Sequence, residues 1–195
     1  MKKDQSAVAR ALHRVETIDL AVARKASIPK DETLGEWTRR FAELGDQPPL
    51  VAISLAVIAA GIAGGNDRLR RTGLRMLTAH SLSTIAKQAG KDRIDRTRPG
   101  ALNEKSYRLE KGASHDGRLR SMPSGHSAGT VAIAGAIAAD YPGARLALGG
   151  VSAAVAAAQV PSRNHYLSDV VVGAAIGFLV SRCALLLIPS EPAKS

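Results

Sequence analysis

The sequence predicts an all-α fold, a bundle of about six helices that crosses a membrane more than once. Three observations predict it. Apolar residues gather in uncharged blocks at 50–65, 121–139, 146–162 and 170–181, the last resuming past Arg182 at 183–188, with a weaker block at 76–86. Runs of β-branched and aromatic residues with period two, which mark strands, are missing. Basic residues concentrate between the blocks, so a mean hydropathy of −0.03 conceals a strong segregation.

Composition narrows the choice further. At 195 residues the chain makes one domain or one compact bundle. An apolar content of 45% excludes intrinsic disorder. A single cysteine, Cys183, excludes an intrachain disulfide framework and a cysteine zinc cluster. The net charge of +10 invites a nucleic-acid reading, but 3% aromatic residues leave almost nothing on which bases stack, so no nucleic-acid partner is expected.

The elements follow in order. Val8, Leu12, Val15 and Val22 recur at helical spacing, with Arg10, Arg14, Arg24 and Lys25 beside them. This is an amphipathic helix, suited either to an anionic membrane surface or to packing on the rest of the chain. Asp4, Arg10, Arg14, Glu16 and Asp19 interrupt the apolar core that a signal peptide needs. Pro29 and the pair Pro48-Pro49 read as breaks. The expected organisation is therefore an amphipathic helical segment at 1–49, a bundle at 50–190 and a short tail at 191–195. Blocks this short also make buried core helices, so an Ala-rich soluble bundle is the alternative. Four or five of them in one chain favour a membrane, with Arg182 reaching to the headgroups.

Three polar clusters stand at the ends of the blocks. Lys91, Arg98 and Pro99 form K-x6-R-P, and seven residues are two helical turns, so both cations are expected on one helix face. Asp92 and Arg96 have the i,i+4 spacing of a surface ion pair. Pro123-Ser124-Gly125-His126 opens the next block: Ser124 suits a helix cap, Gly125 admits close backbone approach, and free N–H groups at a helix start hold an anion. His126 then sits beside that anion, able to exchange a proton near neutral pH. His165 and Asp169, one turn apart, suit a carboxylate that orients an imidazole. Each cluster alone also suits an ordinary helix end. Gathered on one side of a bundle, they supply two cations, an anion nest, two imidazoles and one carboxylate. The extra carboxylates of a two-metal site are missing, so neither a metal nor a cofactor is expected.

These motifs, in this order, resemble the type 2 phosphatidic acid phosphatase superfamily, which includes membrane lipid phosphatases, soluble acid phosphatases and vanadium haloperoxidases. The resemblance covers about residues 50–188. It implies an acid phosphatase/vanadium haloperoxidase-like bundle of the bacterial membrane branch. It implies that His165 is a nucleophile forming a phosphohistidine, that Asp169 orients it, and that His126 is the general acid. Lys91, Arg98, Ser124 and the Gly125 amide would hold the phosphate. The family's third motif, S-R-x5-H-x3-D, departs here: Ala158-Gln159 stand where Ser-Arg belongs, and a Ser-Arg pair occurs at Ser162-Arg163 instead. Either Arg163 supplies the guanidinium from a loop, the preferred reading, or Gln159 has replaced it.

Members of this family act on phosphatidate, phosphatidylglycerol phosphate, prenyl diphosphates and lipid A phosphates, and the sequence does not choose among them. The basic stretch 105–120, with Lys105, Arg108, Lys111 and Arg118, would attract anionic lipid. With five spans, 20 of the 27 Lys and Arg residues lie on the motif side, which favours the cytoplasm. The resemblance implies the non-cytoplasmic face of the inner membrane, and that is the reading adopted. The rivals are a phosphotransferase using the same site and a non-catalytic membrane protein that binds anionic lipid.

Overall fold

A computed structural model describes residues 2–28, 33–102 and 106–189, with side chains from residue 10 onward and excluding that of Leu34. The all-α class stands, with seven α-helices among the described residues: α1 (Lys2–Ala26), α2 (Thr33–Glu43), α3 (Gln47–Ala63), α4 (Asp67–Lys91), α5 (Gly125–Asp140), α6 (Arg145–Ala158) and α7 (Leu167–Leu187). The expected break at Pro29 and the tail 191–195 lie outside these residues.

Local chemistry sets the helix starts. Pro48 and Pro49 occupy the first turn of α3, where a missing N–H costs nothing. Asn66 caps α4, its side chain accepting from the Leu69 N–H at 3.0 Å. Ser124 caps α5, accepting from the Ser127 N–H at 3.4 Å. Asp169 reaches back to the Tyr166 N–H at 2.9 Å and opens α7.

The centre is α5, packed against α4, α6 and α7, while α3 forms a hairpin with α4. Its buried face is built from Ala128, Ala132 and Ala136, small enough to bring neighbouring helices close. Leu50, Met76, Ile133 and Ala184 complete this core. At one end Asp140 accepts from Arg75 at 2.6 Å and from Thr72 at 2.8 Å, and Arg75 also donates to the Ile188 carbonyl at 2.8 Å. That clamp ties α4, α5 and α7 together. Their opposite ends carry the motifs.

The connection between α4 and α5 holds the one pair of strands among the described residues. Two short strands, β1 (Ile94–Arg96) and β2 (Leu109–Lys111), pair antiparallel with Asp95 opposite Glu110. Three residues are too few to show an alternating pattern in sequence.

Membrane length is met less widely than the blocks suggest. Among the described residues α7 alone passes by length and composition, with Gly35–Glu43 of α2 and α3 a bent pair at 48°. α3, α5 and α6 have 17, 16 and 14 residues, so each falls short of the about 30 Å of a hydrocarbon core.

Helix α1 packs on α7 and α2 on α6. Ala23 is buried, and Val22 and Ala26 pack on Ala156, Val160 and Val170. Leu12, Val15 and Ile18 remain largely exposed and line an apolar cavity of about 410 Å³ beside Leu167 and Val171. Asp19, which reads in sequence as an interruption of an apolar run, is fully buried.

Candidate active site

A cavity of about 270 Å³ lies at the motif end of the bundle, lined by Lys87, Lys91, Arg98, Gly125, His126 and His165, with the turn 45–48 as its remaining wall. Residues from three separate clusters thus meet at one place. The last turn of α4 contributes Lys91 and, one turn earlier, Lys87. A Cβ added at Gly125 would lie 2.9 Å from the Lys87 Cδ and 3.1 Å from its Nζ, so glycine leaves room for that ammonium against the start of α5.

Arg98 reaches the cavity by another route than the sequence suggests. The helix stops at Lys91, and Asp92 closes it with its N–H on the Gln88 carbonyl. Gly90 weakens the last turn, and the chain then enters β1. Lys91 and Arg98 therefore do not share a helix face. Arg98 is extended (φ −67°, ψ 147°), as the following Pro99 requires. Its guanidinium is braced by the carbonyls of Gly117 at 2.9 Å and of Asn164 and Arg120 at 3.4 Å.

Neither of the ion-pair partners expected at Asp92 and Arg96 meets the other. Asp92 pairs with Arg120 at 2.8 Å. Arg96 is buried between two carboxylates, Asp169 at 2.6 Å and Asp19 of α1 at 2.7 Å, and lies over the Tyr166 ring at 4.1 Å. The basic loop is also less bare than it reads. Arg108 pairs with Glu110 and Arg118 with Asp116, while Lys105 lies outside the described residues.

His165 is buried just before α7, its N–H donating to the Gln159 carbonyl at 3.2 Å. Its Nδ1 faces Asp169 Oδ2 at 3.7 Å, and Nε2 makes no hydrogen bond among the described residues. Asp169 is held rigidly: Oδ2 also accepts from the Ser121 hydroxyl at 2.6 Å, and Oδ1 accepts from Arg96. Burial pushes the His165 pKa down to about 4, against the upward pull of Asp169, so the ring is neutral at physiological pH. Burial, then Arg98 and Lys87, bring Lys91 down to about 8. The His126 and His165 ring centroids are 5.8 Å apart.

Two predicted ligands are placed differently. Ser124 is fully buried, with its hydroxyl on the Ser127 N–H and hydroxyl, and is a cap rather than part of the cavity wall. Arg163 adopts a left-handed backbone (φ 60°), and its guanidinium donates to the Pro99 carbonyl at 3.3 Å, away from the cavity lining. Gln159 is buried and donates to the Ala42 carbonyl of α2 at 3.1 Å. Neither alternative for the third-motif arginine thus puts a side chain into the cavity wall. Lys87, Asp46, Arg96 and Asp19 are the residues that sequence reasoning missed. Lys87 alone left a trace, standing one turn before Lys91 on the helix.

The all-α bundle gathers cations and paired imidazoles around one cavity, with a carboxylate behind one of the imidazoles, a set of groups suited to a tetrahedral oxyanion such as phosphate. Residues 72–191 match the PAP2 superfamily, and the chain belongs to that family. Two solved structures share the fold. LpxE from Aquifex aeolicus is 20% identical with a TM-score of 0.64, covering 86% of this chain and 94% of its own. A transmembrane PAP2-type phosphatidylglycerolphosphate phosphatase from Bacillus subtilis is 19% identical with a TM-score of 0.69, covering 97% and 94%. Among curated proteins compared, none matches the chain.

Proposed function

We propose that this protein hydrolyses a phosphomonoester or diphosphate on a membrane lipid through a phosphohistidine at His165. The observation that carries this reading is the neutral, unpartnered Nε2 of His165 beside a cavity walled by Lys87, Lys91, Arg98 and His126. In the first step the Nε2 lone pair forms the P–N bond. The P–O bond breaks with its electrons on the leaving oxygen, which takes a proton from His126. Asp169 stabilises the imidazolium that forms. In the second step His126 takes a proton from water, the hydroxide attacks phosphorus, and the P–N electrons return to His165. Lys91, Arg98 and the Gly125 amide hold the phosphoryl oxygens, and Lys87 joins them as a third cation.

The membrane part of the proposal rests on apolar outer faces. Ile53, Leu55 and Ile62 of α3, Leu146 and Val151 of α6, and Val171, Phe178, Leu179 and Leu186 of α7 are all exposed. Several short helices crossing together put the cavity at a headgroup boundary of the inner membrane. The site is assigned to the non-cytoplasmic face. Four of the cations on the motif side, Lys87, Lys91, Arg96 and Arg98, serve the site and do not report orientation, and the family resemblance decides the face.

The test is phosphate release by the purified protein in detergent across phosphatidate, phosphatidylglycerol phosphate and a prenyl diphosphate. Release persisting in EDTA, inhibited by vanadate and lost in His165→Ala supports the reading. Release unchanged in His165→Ala overturns it.

A further inference from the structure

The turn between α2 and α3 belongs to no family motif, yet it forms one wall of the cavity. Asp46, on that turn, brings Oδ1 within 2.6 Å of His126 Nε2. The approach is built in. A Cβ added at Gly45 would lie 3.0 Å from the His126 Cβ and 3.2 Å from its Cα, so the turn is pressed onto this histidine through a glycine. The turn is also anchored. Gln159, which stands where the family carries arginine, donates its amide to the Ala42 carbonyl at 3.1 Å, accepts from the Asn164 amide at 3.3 Å, and its own carbonyl accepts the His165 N–H. One buried side chain thereby ties the end of α2 to the loop that carries His165.

We propose that Asp46 is a positioning residue that keeps the proton of His126 on Nε2 in the empty site and yields that nitrogen to the leaving oxygen when substrate binds. This rests on the phosphatase reading above. Nε2 is the ring tip within the cavity, whereas Nδ1 is buried with no partner among the described residues. The carboxylate therefore occupies the place from which the proton must be given. Asp46 is half-exposed on the turn, and the negative charge of an arriving phosphate repels its carboxylate.

The groups facing His126 are Asp46 from the turn, Lys87 and Lys91 from α4, Arg98 from the loop after β1, and His165 from the loop before α7. Burial pushes His126 down most, Asp46 pulls it back up, and Arg98 and Lys91 push it down again. Replacing Asp46 removes the only upward influence in that set.

Two readouts on the full-length protein in detergent micelles test this. The first needs no activity: the His126 imidazole is titrated by NMR, its signal assigned by loss in His126→Asn. In Asp46→Asn it is expected to titrate about one pH unit lower or more. The second is kinetic. With phosphatidate as probe, Asp46→Asn is expected to lower KM, because a negative charge leaves an anion site, and to lower kcat about tenfold near pH 7, with recovery as pH falls. With p-nitrophenyl phosphate, whose leaving group needs little protonation, kcat is expected to fall less than threefold. Asp46→Glu restores the wild-type pH profile. A titration of His126 that does not move in Asp46→Asn overturns the proposal even if no phosphatase activity is found. So does equal loss of kcat on both substrates with a raised KM, the pattern of a merely structural turn. A shifted titration without phosphate release on any lipid supports the Asp46–His126 pairing and counts against the hydrolase reading alone.

Discussion

At the scale of single residues, function depends on which groups are neutral and which are charged. Under the proposed mechanism His165 must be neutral to attack, and its neutral fraction grows as pH rises through about 4. Lys91 must be charged to hold phosphate, and it loses its proton near about 8. The prediction is that kcat/KM rises with pH through the first value, descends as His126, which burial holds below the ordinary histidine value, loses the proton it gives the leaving group, and descends further through about 8. Lys91→Arg keeps its charge throughout and is expected to remove only the second descent, which a pH profile of the variant against wild type checks. Lys87 supplies a further prediction. Losing one charge-assisted contact costs about 1.5–3 kcal/mol, or roughly 10–100-fold. Lys87→Met is therefore expected to lower kcat/KM by that much without unfolding the protein, while Arg163→Ala leaves it nearly unchanged, since Arg163 donates to the Pro99 carbonyl instead. Steady-state kinetics on both variants decides whether the third cation is the lysine of α4 or the arginine of the loop.

At the scale of elements, α1 is joined to the site by one buried guanidinium. Arg96 bridges Asp19 and Asp169, and Ser168 adds an N–H to Asp19 at 3.0 Å. Removing a partner from such a buried group leaves carboxylates without compensation, at a cost of about 3–5 kcal/mol. Arg96→Met is accordingly expected to lower the thermal midpoint sharply and to cost activity through Asp169. Asp19→Asn keeps a polar partner and is expected to do less of both. Denaturation followed by circular dichroism, beside activity at a temperature where each variant is folded, separates the two effects. This triad also marks how far the sequence was legible. Lys91, His126, His165 and Asp169 could be read because each sits at or near a helix end in a short, ordered motif. The i,i+4 spacing of Asp92 and Arg96 misled because it presumes a helix that ends at Lys91. Asp19, Asp46 and Gln159 gain their meaning from partners far along the chain, Arg96 at 77 residues, His126 about 80 residues on and Ala42 at 117. No local pattern encodes such a partner.

At the scale of the molecule, the clamp around Asp140 holds one end of the bundle and the motifs occupy the other, so a phosphate cavity sits at one pole of an apolar-faced body. The blocks of the sequence announced the helices correctly, but not their lengths. α5 starts only after Pro123, the turn at 159–163 cuts α6 short, and among the described residues only α7 is both long and apolar enough by itself to cross a membrane. Insertion is nevertheless expected. The protein should stay with vesicles through high salt and alkaline carbonate, conditions that strip proteins held only by surface charge. Recovery in the supernatant would contradict a spanning bundle. A membrane-impermeant thiol reagent on a single cysteine placed at Gly117, in an otherwise cysteine-free chain, should label intact cells from the non-cytoplasmic side.

The most direct test of the whole account is to trap the covalent intermediate. The protein is mixed with a lipid phosphate that it hydrolyses, quenched in alkaline detergent where phosphohistidine survives, and mapped by mass spectrometry. The account predicts phosphate on His165, absent in His165→Ala. Phosphate on any other residue, or turnover with His165 replaced, would contradict it.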